Sequence, residues 1–299
     1  KYGIICKNGT EDDFMKYSEE TLKNWKNPAS DTEEQKISNT VSMIKSAVAN
    51  CPDLDDLTIE VFVQGSYANN TNVRTNSDVD VCVMLTSSFY TEYPEGKSRE
   101  DYGFTEGSIG FDEYKKRIKK AIIDKFGPDA VTVGNKSLKI RSNSYHVNAD
   151  VVVAIMLKDY KSIGSTDPKQ YSEGTRFWSS DGTKVTNYPK IHIANGIKKN
   201  NETNYRYKYL VRMFKKIRNN MVNDQIIDGD TISSFLTECL VWNVPNRIIT
   251  GYDTWTETIR QAISYLYHAI KDNKHKEWGE VSEMLLLKIM VRFISIVIS

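Results

Sequence analysis

The chain has 299 residues, 39% of them apolar, with 40 Lys and Arg against 39 Asp and Glu, for a net charge of +1. That length can bury a substantial core in one large or two fused lobes, and the near-neutral balance excludes a globally cationic nucleic-acid coat. Four cysteines without paired spacing, Cys6, Cys51, Cys82 and Cys239, read as reduced thiols of a cytoplasmic protein, and four dispersed histidines exclude a zinc ribbon.

In chain order, helical spacing is expected over residues 10–25 and 31–50. The second carries Asp31 or Thr32 as a cap and Ile37, Val41, Ile44 and Val48 as an apolar stripe. Strands follow near 58–65 and 79–85, then a helix near 111–126 and further strands near 131–141 and 147–155. Lys115, Lys116, Arg117, Lys119 and Lys120 sit on that helix, either as an ordinary solvated face or as a patch for an activating nucleic acid or phosphate entry. Residues 158–200, with Gly164, Gly174, Gly182 and Gly196, read as loops. Lys198 and Lys199 precede the next helix. Helices dominate thereafter, most clearly over 252–271 and 281–299, separated by a polar stretch at 272–280. Lys288 and Arg292 interrupt the last of these, which favours a core helix over a membrane span. No leader segment is read at the start of the chain.

The richest segment is Val61 to Leu85, VFVQGSYANNTNVRTNSDVDVCVML. Asp78 and Asp80 lie at i and i+2, so in a strand they project to one face roughly 6.5 to 7 Å apart, with Val79 and Val81 packing behind. Two carboxylates on one face repel unless a hard cation joins them. Transfer of a nucleotidyl group with two cations needs a third acid. Asp150, in the β-branched run HVNADVVVAI, is the candidate for it. It would hold the ion that activates an acceptor hydroxyl and draw off the proton. At Gly65-Ser66, after Gln64, the backbone can approach phosphates closely because glycine has no Cβ, and the serine hydroxyl adds a donor. Taken alone, Gly-Ser is an ordinary turn and Asp-Val-Asp an ordinary exposed strand edge.

Together, the strand, Gly-Ser, eleven intervening residues and the alternating acids resemble the DNA polymerase β type nucleotidyltransferase superfamily. The run NYPKIHIANGIKKNNETNYRYKYLVRMFKKIRNN from Asn187 and ISSFLTECLVWNVPN from Ile232 resemble the helical half of the bacterial cGAS/DncV-like nucleotidyltransferases, or CD-NTases. This implies an α+β fold: a mixed-sheet catalytic lobe over 1–195 that includes the N-terminal helices, a helical lobe over 196–299, and a nucleotide cleft between them. It further implies a cytoplasmic enzyme of anti-phage defence that joins nucleoside triphosphates into a cyclic di- or trinucleotide, with two Mg²⁺ ions, or Mn²⁺ in their place. A regulatory nucleic acid or protein partner would accompany it, and no membrane.

The resemblance carries roles onto further residues. Lys215, with Lys216 as its neighbour, would grip the donor triphosphate; Ser234 would bind phosphate and Phe235 would stack on the donor base. Other readings stand beside these. Arg212, Lys215, Lys216 and Arg218 could form a solvated face opposite Leu210, Val211, Phe214 and Ile217. Phe235 could pack into the core with Leu236 and Leu240, and Ser233 or Ser234 could simply cap a helix. A linear-chain synthase, a template-independent RNA nucleotidyltransferase, a non-catalytic sensor of the same fold and a partner-modifying antitoxin are the rival functions.

Overall fold

The computed structural model describes residues 17–27, 31–73, 78–229 and 232–287. The chain falls into two units, Ala29–Ala194 and Lys1–Pro28 with Asn195–Ser299, each with a core of its own. Helix α1 (Glu19–Trp25) opens the described chain and belongs to the second unit. Ser18 caps it by accepting from Thr21 N. Residues 10–16 of the expected first helix lie outside the described residues.

The first unit contains α2 (Asp31–Ala49), β1 (Ile59–Gln64), α3 (Gly65–Ala68), β2 (Val79–Glu92), α4 (Phe111–Phe126), β3 (Val131–Val133), β4 (Leu138–Ile140), β5 (Ala149–Asp159), β6 (Ser172–Trp178) and β7 (Lys184–Asn187). On α2, Ile44 and Val48 are buried and Ile37 and Val41 pack against the same core, as the stripe requires; the side chains of its first three residues lie outside the description. α4 buries Phe111, Tyr114, Ile118, Ala121 and Ile122, the one apolar face of an amphipathic helix. Its basic residues are solvated: Arg117 pairs with Glu113 and Asp56, and Lys120 with Asp53 and Asp124.

Among the described residues seven strands form one mixed sheet, ordered β1-β2-β5-β4-β3, with β6 on β5 and β7 on β6. β2 and β5 run parallel and the other pairs antiparallel. Val81, Cys82, Val83, Met84 and Leu85 are all fully buried. β2 is therefore covered on both faces, which is the usual setting of a parallel strand pair.

Two expectations for this unit change. The strand foreseen over 131–141 is a hairpin, closed by the Gly134 N–H donating to Ser137 O at 2.8 Å. The stretch read as loops holds β6, β7 and the start of a helix. Its glycine signal has another cause at Gly174, where an added Cβ would come within 2.9 Å of the Tyr188 ring. Pairing with β5, the part-buried Arg176–Glu92 pair and the buried Tyr188–Asp159 hydrogen bond stabilise a strand whose own sequence is weakly β-forming.

The second unit adds α5 (Pro189–Glu202), which begins in the first, then α6 (Arg206–Asn223), α7 (Ser234–Trp242), α8 (Asn246–Thr250) and α9 (Trp255–Lys271). Tyr207, Leu210, Val211 and Met213 of α6 pack with Leu236, Cys239, Leu240 and Val241 of α7 and with Ile259, Ala262 and Leu266 of α9. The Glu19 carboxylate accepts from Trp255 N and Thr256 N, filling orphan donors at the start of α9.

Lys198 and Lys199 lie inside α5, and Lys199 is buried. Its ammonium donates to Trp242 O at 2.5 Å and Val244 O at 2.8 Å, capping the end of α7. The helix expected from residue 281 is absent over 281–287. There Glu283 takes a left-handed φ of 57°, Glu280 N donates to Leu285 O, and Gly279 bridges Leu286. A non-glycine residue in that conformation breaks a right-handed helix. Residues 288–299 lie outside the described residues. Cys51, Cys82 and Cys239 are free buried thiols, as expected; Cys6 is outside the description. Among the described residues no helix is long and apolar enough to cross a membrane.

Candidate active site

Strand register builds the site on the sheet. Gln64 of β1 pairs with Asp80 of β2, Asp80 with Asp150 of β5, and Asp150 with Lys139 of β4. Directly paired residues on neighbouring strands share a face about 5 Å apart. One row therefore crosses four strands: Gln64, Asp80, Asp150, Lys139. Asp78, two residues before Asp80, is exposed and stands just ahead of β2, outside the paired strand. Val79 N is anchored by Asn148 O at 3.0 Å, which locks β2 against β5 immediately beside the acids. Val79 and Val81 are fully buried behind them.

Gly65 occupies a place where any side chain is strained. Its φ is +69°, and an added Cβ would stand 2.2 Å from Asp80 Oδ2. Both the left-handed backbone and the closeness of the carboxylate favour glycine. The turn is held from behind: Asn69 Nδ2 donates to Gly65 O at 2.8 Å, and Thr71 N to Ser66 O at 2.8 Å. Asn69 and Thr71 are both buried. Among the described residues Asn69 Oδ1 meets no donor.

Asp150 is spanned by Ser137, just ahead of β4, and by Lys139 on β4. Ser137 Oγ donates to Oδ1 at 2.9 Å, and Lys139 Nζ lies 3.3 Å from the same oxygen. Among the described residues no three His, Cys, Asp or Glu side chains are gathered as a cation cage. Register brings Asp80 and Asp150 to one face while Asp78 stays outside the paired strand, and the cation now on Asp150 is the lysine ammonium. Carboxylate oxygens are the donors that Mg²⁺ and Mn²⁺ take. With that stand-in charge already seated on one of them, the donor set fits a divalent ion.

In the helical unit the expected residues lie on α6 and α7. Lys208, Arg212 and Lys215 follow one stripe at i, i+4 and i+7 of α6. Arg212 is 2% exposed, donates through Nε to Lys26 O at 2.6 Å and stacks over the Tyr209 ring; burial pushes its guanidinium down to about 10. Lys215 is as deeply buried and meets Glu238 of α7 at 2.6 Å. The solvated face does not describe these two residues; the partly buried Phe214 and Ile217 do pack against the core. Ser233, and not Ser234, caps α7, accepting from Leu236 N at 3.0 Å. Ser234 is exposed in its first turn. Phe235 is 47% exposed while Leu236 and Leu240 are buried, so core packing is not its role. Arg218 braces the approach to α7 by donating to Gly229 O and Ile232 O.

Sequence reasoning passed over Asn69, Ser137, Lys139 and Glu238, and read Arg218 only as part of a solvated face. Lys139 had a legible signal, one cation between Leu138 and Ile140 in a short strand, which must face away from the core those two enter. The others depend on tertiary contacts that no local pattern marks.

A model of the cGAS/DncV-like nucleotidyltransferase C-terminal helical domain matches residues 194–288, and one of the nucleotidyltransferase domain matches residues 44–134. The chain is 46% identical over 275 residues to a cyclic dipyrimidine nucleotide synthase CdnE of Cecembia lonarensis, covering 92% of each. It is 33% identical over 296 residues to the cyclic GMP-AMP synthase CdnE03 of Staphylococcus schleiferi, covering 91% of each. Among solved structures, the Rhodothermus marinus CdnE c-UMP-AMP synthase with Apcpp and Upnpp matches with a TM-score of 0.81 at 29% identity, over 94% of this chain and 95% of that one. The mixed sheet with its helices is thus the polymerase β-like nucleotidyltransferase fold expected from the sequence.

Proposed function

The chain belongs to the cGAS/DncV-like nucleotidyltransferases, the CD-NTases, and from that premise we propose that it joins two nucleoside triphosphates into a cyclic dinucleotide, releasing pyrophosphate at each step. The observation that carries the reading is the row Gln64, Asp80, Asp150, Lys139, with Asp78 beside it and Gly65 pressed against Asp80. Asp78, Asp80 and Asp150 would hold two divalent cations, Mg²⁺ or Mn²⁺. Bound there, such ions neutralise charge developing on the α-phosphate and the departing pyrophosphate.

The chain's own groups do the rest. The Gly65-Ser66 turn offers a backbone without a Cβ and a hydroxyl donor to phosphate oxygens, and Gln64 stands at the same end of β1. Lys215 and Ser234 take donor phosphates, and the exposed face of Phe235 supports the donor base. A ribose hydroxyl of the acceptor gives its proton to Asp150. Its oxygen then bonds to the α-phosphorus as the bond to the pyrophosphate oxygen breaks. A second transfer of the same kind closes the ring. We place the reaction in the cytoplasm, its product in anti-phage signalling, and its control with a nucleic-acid or protein partner.

The bases follow from identity: the relative 46% identical carries a cyclic dipyrimidine name, so a pyrimidine-containing ring is expected here. Mass spectrometry of products from all four ribonucleoside triphosphates with Mg²⁺ tests both parts. A phosphatase-resistant product at the mass of a cyclic dinucleotide is expected. A ladder of phosphatase-sensitive chains, or unconsumed triphosphates, would overturn the reading.

A further inference from the structure

We infer that Lys139 is a built-in competitor for the cation on Asp150: its ammonium neutralises the carboxylate before metal arrives, and it sets how much divalent metal the site needs. The inference rests on the reading of Asp150 as a metal-holding acid given above.

The geometry places the lysine there by design of the hairpin. Lys139 is the register partner of Asp150, and its Nζ lies 3.3 Å from Oδ1. Its stem runs over Gly134: a Cβ at that position would stand 3.2 Å from Lys139 Cε and 3.1 Å from Ser137 O. The bare α-carbon, in a turn closed by Gly134 N donating to Ser137 O, leaves the methylenes their path. Ser137 Oγ joins the lysine on the same oxygen. Asp80 and Asp150 stand in register as like charges, which oppose each other across neighbouring strands. One ammonium offsets that repulsion without a metal.

Displacement is easy because the pair is open to water. Lys139's side chain is 54% exposed and that of Asp150 23%. An exposed ion pair is weak, and a divalent ion that also draws on Asp80 gains two carboxylates for the one that lysine holds. Removing the lysine should therefore tighten metal binding by about two- to fivefold, the affinity equivalent of such a pair.

The test is Mn²⁺ titration of the full chain without nucleotide, read by the paramagnetic resonance signal of the free ion, on the wild type, Lys139→Met, Asp150→Asn and the double variant. Lys139→Met is expected to bind Mn²⁺ about two- to fivefold more tightly. That gain should vanish in the Asp150→Asn background, and Lys139→Arg should return affinity toward the wild type. Unchanged or weaker binding in Lys139→Met would overturn the inference, and so would an equal gain in the Asp150→Asn background, which marks a general charge effect. The Asp78→Asn/Asp80→Asn variant separates the two readings. If it leaves Mn²⁺ binding intact, the metal site itself fails; if it abolishes binding while Lys139→Met changes nothing, only the role of Lys139 fails.

Discussion

Two lysine–carboxylate pairs in this molecule have the same chemistry and opposite settings. Lys139 and Asp150 meet at 3.3 Å with side chains 54% and 23% exposed; Lys215 and Glu238 meet at 2.6 Å with 3% and 6% exposed. The first is solvated, weak and exchangeable, suited to a site that must open to a cation and a nucleotide. The second is locked between α6 and α7, where loss of one partner strands a buried charge. Burial, more than residue type, separates a contact that exchanges readily from one that is costly to break.

The largest expected effect breaks the second pair. Lys215→Ala should destabilise the chain by about 3 to 5 kcal/mol, measured by denaturant unfolding, because Glu238 is left buried and uncompensated. Replacing both partners, as Lys215→Met/Glu238→Leu, should recover most of that stability. If nucleotide affinity stays low in the double variant, lysine also grips phosphate; if affinity returns, its part is structural alone. On the sheet side the balance reverses. Gly65→Ala pushes a methyl into Asp80 from a left-handed backbone, and turnover should fall about 100-fold, as for an ångström of misplacement. Unfolding should move by no more than about 1 to 3 kcal/mol.

Smaller effects sharpen the contrast. Phe235→Ala should raise the KM for nucleotide by about tenfold, the low end of the range for a base–aromatic stack, and leave the melting temperature almost unmoved, since the ring is 47% exposed. An equal fall in stability would return Phe235 to the core. Lys199 yields a pH signature. Burial pushes its ammonium down to about 8, below its ordinary value near 10.4. The unfolded chain therefore binds the extra proton between those values, and this residue's contribution to stability rises as pH increases from about 8 to about 10.4. Unfolding of the wild type and Lys199→Met across that window should diverge in that direction; parallel curves would rule it out.

Much of this was legible in the sequence, for identifiable reasons. β1, β2 and β5 carry strongly β-branched apolar runs, α2 and α4 carry one clean stripe each, and the acids announce themselves by alternation between buried valines. β6 was hidden because Gly174 and Arg176 belong to a strand only through their pairing with Leu157 and Ile155 of β5. Residues 281–287 misled because their apolar content fits a helix while Glu283 takes a backbone conformation that composition does not reveal. At the site, alternation with valine marked Asp78 and Asp80, of which Asp80 lies in the paired strand and Asp78 just ahead of it. The pairing that sets Asp150 between Asp80 and Lys139 is a matter of register across strands distant in sequence, which no local pattern encodes.

The central claim is that this acidic row performs metal-dependent nucleotidyl transfer. Its most direct test is incorporation of α-phosphate-labelled ribonucleotides by Asp80→Asn and Asp150→Asn, each confirmed folded by circular dichroism, alongside the wild type at saturating Mg²⁺. Incorporation should fall by at least about 100-fold in both; product formation at the wild-type rate in either variant would contradict it.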